Sequence, residues 1–121
     1  FEARIGYSRA VVCDGWVFVA GTTGYDYATM IMPPDPADQC RNALATIARA
    51  LGEAGATLDD VVRARYILCD AADWPPCWPV VSAHFAAARP AATMLVAGLQ
   101  EPDMRIEIEV TARLPGRPSG A

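Results

Sequence analysis

The segment 105–112 alternates without a break: Ile106, Ile108 and Val110 fall on one parity, Arg105, Glu107 and Glu109 on the other. A period of two is the period of a strand, so this stretch reads as a strand with one apolar and one charged face. Residues 61–68 repeat the pattern, with Val62, Ala64, Tyr66 and Leu68 opposed to Arg63 and Arg65. A chain with two such strands is committed to a sheet whose apolar side needs a cover. Residues 35–55 supply one. Asp35 can cap free amides and Pro36 suits a first helical turn. Cys40, Ala43, Leu44, Ile47 and Leu51 then recur at helical spacing up to Gly55.

The remaining elements follow from turn chemistry. Residues 10–13 and 16–20 read as two strands joined by Asp14-Gly15, a pair that tolerates the positive φ of a two-residue hairpin. Gly21-Thr22-Thr23-Gly24 ends the second strand, and a loop with Tyr25, Tyr27, Pro33 and Pro34 follows. A second helix is expected over 79–88, entered through Trp74, Pro75, Pro76 and Trp78, because Pro79 deep inside a helix would break it. A short strand over 92–96 precedes the last one. The order β-β-α-β-α-β-β predicts an α+β sheet with both helices on one face. At 121 residues, 53% of them hydrophobic, the chain suits one domain, 1–114, with a flexible Pro/Gly-rich tail over 115–121.

The face away from the helices poses a problem. It would carry Arg63, Arg65, Arg105, Glu107 and Glu109 among large apolar residues of the hairpin, a mixture too apolar for water and too charged for a core. Packing against a symmetry mate satisfies both groups. A solvated face with cross-strand ion pairs is the other reading.

Composition narrows the chemistry. All ten basic residues are Arg, so no lysine amine is present for a Schiff base. A net charge of -4 would repel a phosphate backbone, so no nucleic-acid partner is expected. Four cysteines without a CxxC pair and a single histidine, His84, predict no metal site and buried free thiols. His84 reads as a packing or surface residue. No apolar stretch is long enough to span a bilayer, and Phe1-Glu2-Ala3-Arg4 has no signal-peptide pattern, so a cytoplasmic protein with no membrane partner is expected.

Four segments in order carry a family resemblance: Ile5-Gly6-Tyr7-Ser8, the hairpin ending Val19-Ala20-Gly21, the helix end Leu51-Gly52-Glu53-Ala54-Gly55-Ala56-Thr57-Leu58-Asp59-Asp60-Val61-Val62, and Arg105-Ile106-Glu107-Ile108-Glu109-Val110. Along nearly its whole length the chain resembles the Rid family, the reactive intermediate deaminases also called YjgF or L-PSP proteins. That resemblance implies a chorismate-mutase-like fold, a homotrimer whose sheets form a central barrel, and small-molecule clefts between subunits. It also implies hydrolysis of imines and enamines without metal or cofactor. In the deaminase members an Arg holds the substrate carboxylate, a Glu on the last strand positions water, and a Tyr near the N-terminus borders the cleft. Glu107 and Tyr7 match the last two. The Arg position falls on Ala92 in Arg89-Pro90-Ala91-Ala92-Thr93-Met94, with Met94 where a Cys is often found.

Ala92 offers no donor to a carboxylate, which turns the expectation away from ordinary 2-imino acids. Glu107 reads either as the residue that orients a hydrolytic water or as a carboxylate paired with Arg63 or Arg65 on the open face. Tyr7, Ala20, Gly21, Ala92, Thr93 and Met94 would shape the cleft, and Trp78 would wall it or pack. Three functions follow: a divergent Rid-type hydrolase or deaminase, a non-catalytic trimer that binds a small metabolite, or, against the charge balance, a ribonuclease.

Overall fold

The structure, a computed structural model, describes residues 2–116; the expected flexible tail lies, from residue 117 on, outside the described residues. Asp14 and Gly15 take φ of 52° and 81°. This is the primed turn that matches strand twist, and it joins β1 (Ala10–Cys13) to β2 (Trp16–Thr23). A single turn of helix, α1 (Glu2–Ile5), precedes them. Helix α2 (Pro36–Ala54) begins where Asp35 accepts the Ala37 amide at 2.8 Å. It buries Cys40, Ala43, Leu44, Ile47 and Leu51 completely, the stripe expected from their spacing.

Strand β3 (Val61–Leu68) leads through α3 (Trp74–His84) to β4 (Ala91–Val96), and β5 (Ile106–Arg113) closes the chain. The sheet order is β1-β2-β5-β3-β4, antiparallel except for β3 and β4, which are parallel as their helical crossover requires. The last strand is therefore central. Its residues Ile106, Ile108, Val110 and Ala112 are buried under α2, and the alternate set is half-exposed. The α+β architecture with two long helices on one side is the expected one.

Several expectations need correction. Val62 is 45% exposed rather than on the core face, because β3 gains one residue against β5 between Val61 and Arg63. Such a bulge reverses side-chain parity over a single residue, and Val61 takes the buried place. Strand β2 runs on through Thr23, with a second register shift between Val19 and Thr22. Helix α3 starts at Trp74, five residues earlier than expected, and holds Pro79 internally. Pro75 and Pro76 occupy its first turn, where amides have no helical partner anyway, and Cys77 and Val80 bury one side. Arg105 precedes the last strand and leaves the open face, gripping Asp73 through Nε at 2.8 Å and Nη2 at 3.0 Å.

The open face otherwise has the mixed character foreseen. Phe18 is 47% exposed, Trp16 lies 4.5 Å from the Arg113 guanidinium, and Arg65 pairs with Glu109 at 3.1 Å. Arg63 donates to Thr93 at 2.6 Å. All four cysteines are free, but only Cys40 and Cys77 are buried, whereas Cys13 and Cys69 are exposed, contrary to expectation for those two. His84 bonds the Val80 carbonyl within its own helix. No described helix is long and apolar enough to cross a membrane.

One buried polar side chain joins distant parts of the chain. Gln39 donates to the Pro33 and Asp103 carbonyls at 2.8 and 2.9 Å, and accepts the Arg105 amide at 2.8 Å. Gln39→Leu would keep the volume and strand all three backbone groups. It is expected to lower unfolding free energy by roughly 2–4 kcal/mol, measured by urea denaturation.

Candidate functional site

Glu107 stands opposite Thr23 on β2 and Ile67 on β3. Its side chain crosses the backbone of Gly21: a methyl group placed there would meet the carboxyl carbon at 2.8 Å. Glycine at this strand irregularity is thus what leaves room for the carboxylate. Arg9 holds the same irregularity in place. Its carbonyl accepts the Ala20 amide at 2.9 Å, and its Nη1 donates to the Gly21 carbonyl at 3.1 Å and Thr22 Oγ1 at 2.9 Å. Glu2 in α1 accepts the Arg9 amide at 3.0 Å and approaches Nε at 3.5 Å. The guanidinium lies 5.9 Å from the Tyr7 ring.

These residues border a pocket of about 1050 Å³. The lining comes from Glu2, Tyr7, Arg9, Gly21 and Glu107, from Tyr25, Tyr27 and Met30 of the loop after β2, and from Gln100, Glu101 and Met104. Among the described residues, the Glu107 carboxylate enters no ion pair. Burial pushes its pKa up, Glu109 adds to the rise, and Arg9 opposes it. The Tyr25 phenol is raised by burial and by the charges of Asp103 and Glu101. A half-buried carboxylate with a raised pKa is suited to take a proton from water near neutral pH. The same described residues gather no group of three or more His, Cys, Asp or Glu that could hold a metal ion.

The residues singled out from sequence fall into separate places. Tyr7, Gly21 and Glu107 meet in this pocket. Ala20 lines a neighbouring pocket of about 730 Å³ on the open face, with Phe18, Arg63, Arg65 and Glu109, and Tyr7 and Ser8 border both. Ala92, Thr93 and Met94 lie on β4, at the far edge of the sheet. Thr93 pairs with Arg65, whereas Ala92 and Met94 pair with Ala64 and Tyr66 and so share their parity. Trp78 is 51% exposed on α3, and Trp74 packs 5.3 Å from Tyr66. Arg9, Tyr25 and Tyr27 were not singled out as pocket residues. The available signal for Arg9 was its place two residues after Tyr7, beside the first strand.

A family model described as Endoribonuclease L-PSP matches residues 1–114, and the chain belongs to that family. Among solved structures it is similar to Rv2704 of Mycobacterium tuberculosis, a member of the YjgF/YER057c/UK114 family. The two are 43% identical over 94% of this chain and 92% of that one, with a TM-score of 0.84. RidA from the Antarctic bacterium Psychrobacter sp. PAMC 21119 is 26% identical, covering 90% and 89% of the two chains, with a TM-score of 0.85. The uncharacterised Streptomyces coelicolor protein SCO2049 is 30% identical over 93% of this chain and 84% of its own length. Membership supports a small-molecule function of the Rid type.

The raised carboxyl pKa has a consequence for stability. An acid whose pKa is higher folded than unfolded destabilises the fold once ionised, and that cost disappears as pH falls below both values. Glu107→Gln is therefore expected to raise the melting temperature at pH 7.5 and to match the wild type near pH 3, measured by calorimetry at both. Gly21→Ala should displace the carboxylate and shift the backbone resonances of Glu107 and Thr23 in NMR spectra.

Proposed function

We propose that this chain is a cytoplasmic homotrimer that hydrolyses a small reactive imine or enamine other than the usual 2-imino acids. The reaction takes place at clefts between subunits, without metal or organic cofactor. The observation that carries the reading is Glu107, a half-buried carboxylate laid over Gly21 at the wall of a pocket, with no ion pair among the described residues. Imine hydrolysis asks little more of a protein. The C=N carbon is already electrophilic, so a carboxylate that orients water and takes its proton supplies the base. Water adds to carbon, the nitrogen is protonated, and ammonia leaves a carbonyl product.

Two features support the subunit arrangement. The open face exposes Phe18, Val11 and Trp16 beside charged strands, a surface that an identical copy would cover. Ala92, Thr93 and Met94 lie away from Glu107 within one chain, so a second subunit must bring them if they share its cleft. Ala92 itself gives an α-carboxylate no donor, and the Arg63 guanidinium beside β4 is engaged with Thr93. A net charge of -4 without lysine disfavours RNA as the substrate.

The test is acceleration of imine hydrolysis over the spontaneous rate, with ammonia as the readout. The imine left by amine oxidase acting on isobutylamine is compared with freshly made 2-iminopropionate. Wild type is expected to accelerate the first, Glu107→Ala to lose about 100-fold, and Ala92→Arg to gain activity on the second. Sedimentation velocity should return three subunits. Turnover unchanged in Glu107→Ala would sink the mechanism; a stable trimer that turns over nothing yet is stabilised by a metabolite would favour a binding protein.

A further inference from the structure

We infer that the Glu107 pocket recognises an organic cation, an ammonium or protonated imine, and excludes carboxylate-bearing ligands. The inference starts from which charges are already spent. Arg9 is the one basic residue among those lining the pocket. Its Nη1 is committed to the Gly21 carbonyl and Thr22 Oγ1, its Nε faces Glu2 at 3.5 Å, and its side chain is only 20% exposed. With Arg9 and Glu2 cancelling, the lining retains Glu101 and Glu107, neither of which enters an ion pair among the described residues. Within one subunit, an anion entering here meets two like charges and a guanidinium whose Nη1 and Nε are already engaged.

The walls agree with the charge. Tyr25 and Tyr27 bring their rings to 6.3 Å at an interplanar angle of 51°, and both line the same pocket as Glu107. Ring faces carry the negative end of the aromatic quadrupole and attract an ammonium or iminium group that has left water. The raised pKa of Tyr25, caused first by burial, also carries the field of Asp103 and Glu101 at that wall. A carboxylate and two tilted phenols in one lining suit a positively charged nitrogen with a small apolar substituent.

This deepens the reading above and rests on it for the identity of the reacting group. A protonated imine placed against Glu107 combines with one water to give a carbonyl compound and an ammonium ion, with a single positive charge before and after. The water oxygen forms the new bond to carbon; one of its protons passes to nitrogen by way of the carboxylate, and the other joins the released ammonia as the carbonyl forms. The carbon–nitrogen bond then breaks with its electron pair on the departing amine.

Isothermal titration of the whole protein at low ionic strength with isobutylammonium chloride and sodium isobutyrate separates charge from shape. Isobutylammonium is expected to bind saturably. Its affinity should fall tenfold or more in Glu107→Gln and severalfold in Tyr25→Leu, while isobutyrate gives no heat of binding. Circular dichroism confirms that each variant is folded. Isobutyrate binding as tightly as the ammonium would overturn the inference, as would ammonium binding that Glu107→Gln leaves intact, or no binding of either. Cation binding without turnover of any imine sinks the hydrolytic reading alone. Turnover of an imine that isobutylammonium does not compete with sinks the cation pocket alone.

Discussion

Everything in this molecule hangs on the two-sidedness of its central strand. Strand β5 pairs with β2 on one side and β3 on the other, so its side chains are placed by two neighbours at once. Ile106, Ile108 and Val110 anchor the sheet to α2, and fully burying each such side chain is worth roughly 1.5–3 kcal/mol. Because strand parity is rigid, that burial fixes Glu107 and Glu109 on the opposite side. The pocket carboxylate is thus positioned by the core rather than by a loop.

From that fixed strand, small irregularities do the shaping. The register shift in β2 between Val19 and Thr22 opens the ladder where Gly21 lies beneath Glu107. Arg9 clamps the irregularity from beside the neighbouring strand, and Glu2 follows Arg9. Glu109, one strand period away, is paired with Arg65 in the exposed setting that gives an ion pair at most about 1 kcal/mol. Glu107 has no such partner among the described residues. Two carboxylates from one alternating motif therefore differ by what each meets: Glu109 meets Arg65, whereas Glu107 lies over Gly21.

Much of the fold was legible because it rests on local or periodic signals. Asp35-Pro36 and the stripe ending at Leu51 define α2; Asp14-Gly15 defines the hairpin; alternation defines β3 and β5. What escaped was long in range or a single residue in size. A bulge at Val62 changes parity without any residue type to mark it. Gln39 reads as a polar helix residue until residues 103–105, more than sixty positions on, return to it. Arg9 finds its partners only through the pairing of β1 with β2. Pro79 follows the opposite course: the rule that proline ends helices holds for isolated turns, whereas α3 is held from outside through Cys77 and Val80. For the site, Tyr7, Gly21 and Glu107 line one pocket, while Tyr25 and Tyr27 sit on a loop whose course no local pattern dictates.

Tyr7 and Ser8 border both the Glu107 pocket and the open-face pocket that contains Arg63, Arg65 and Glu109. A shared wall cannot be set by one neighbour without being felt by the other. A ligand in one pocket that moves this segment changes the free energy of filling the other, and linkage makes the shift equal in both directions. The Tyr7-Ser8 segment is thus the one stretch of backbone through which the two pockets can sense each other directly.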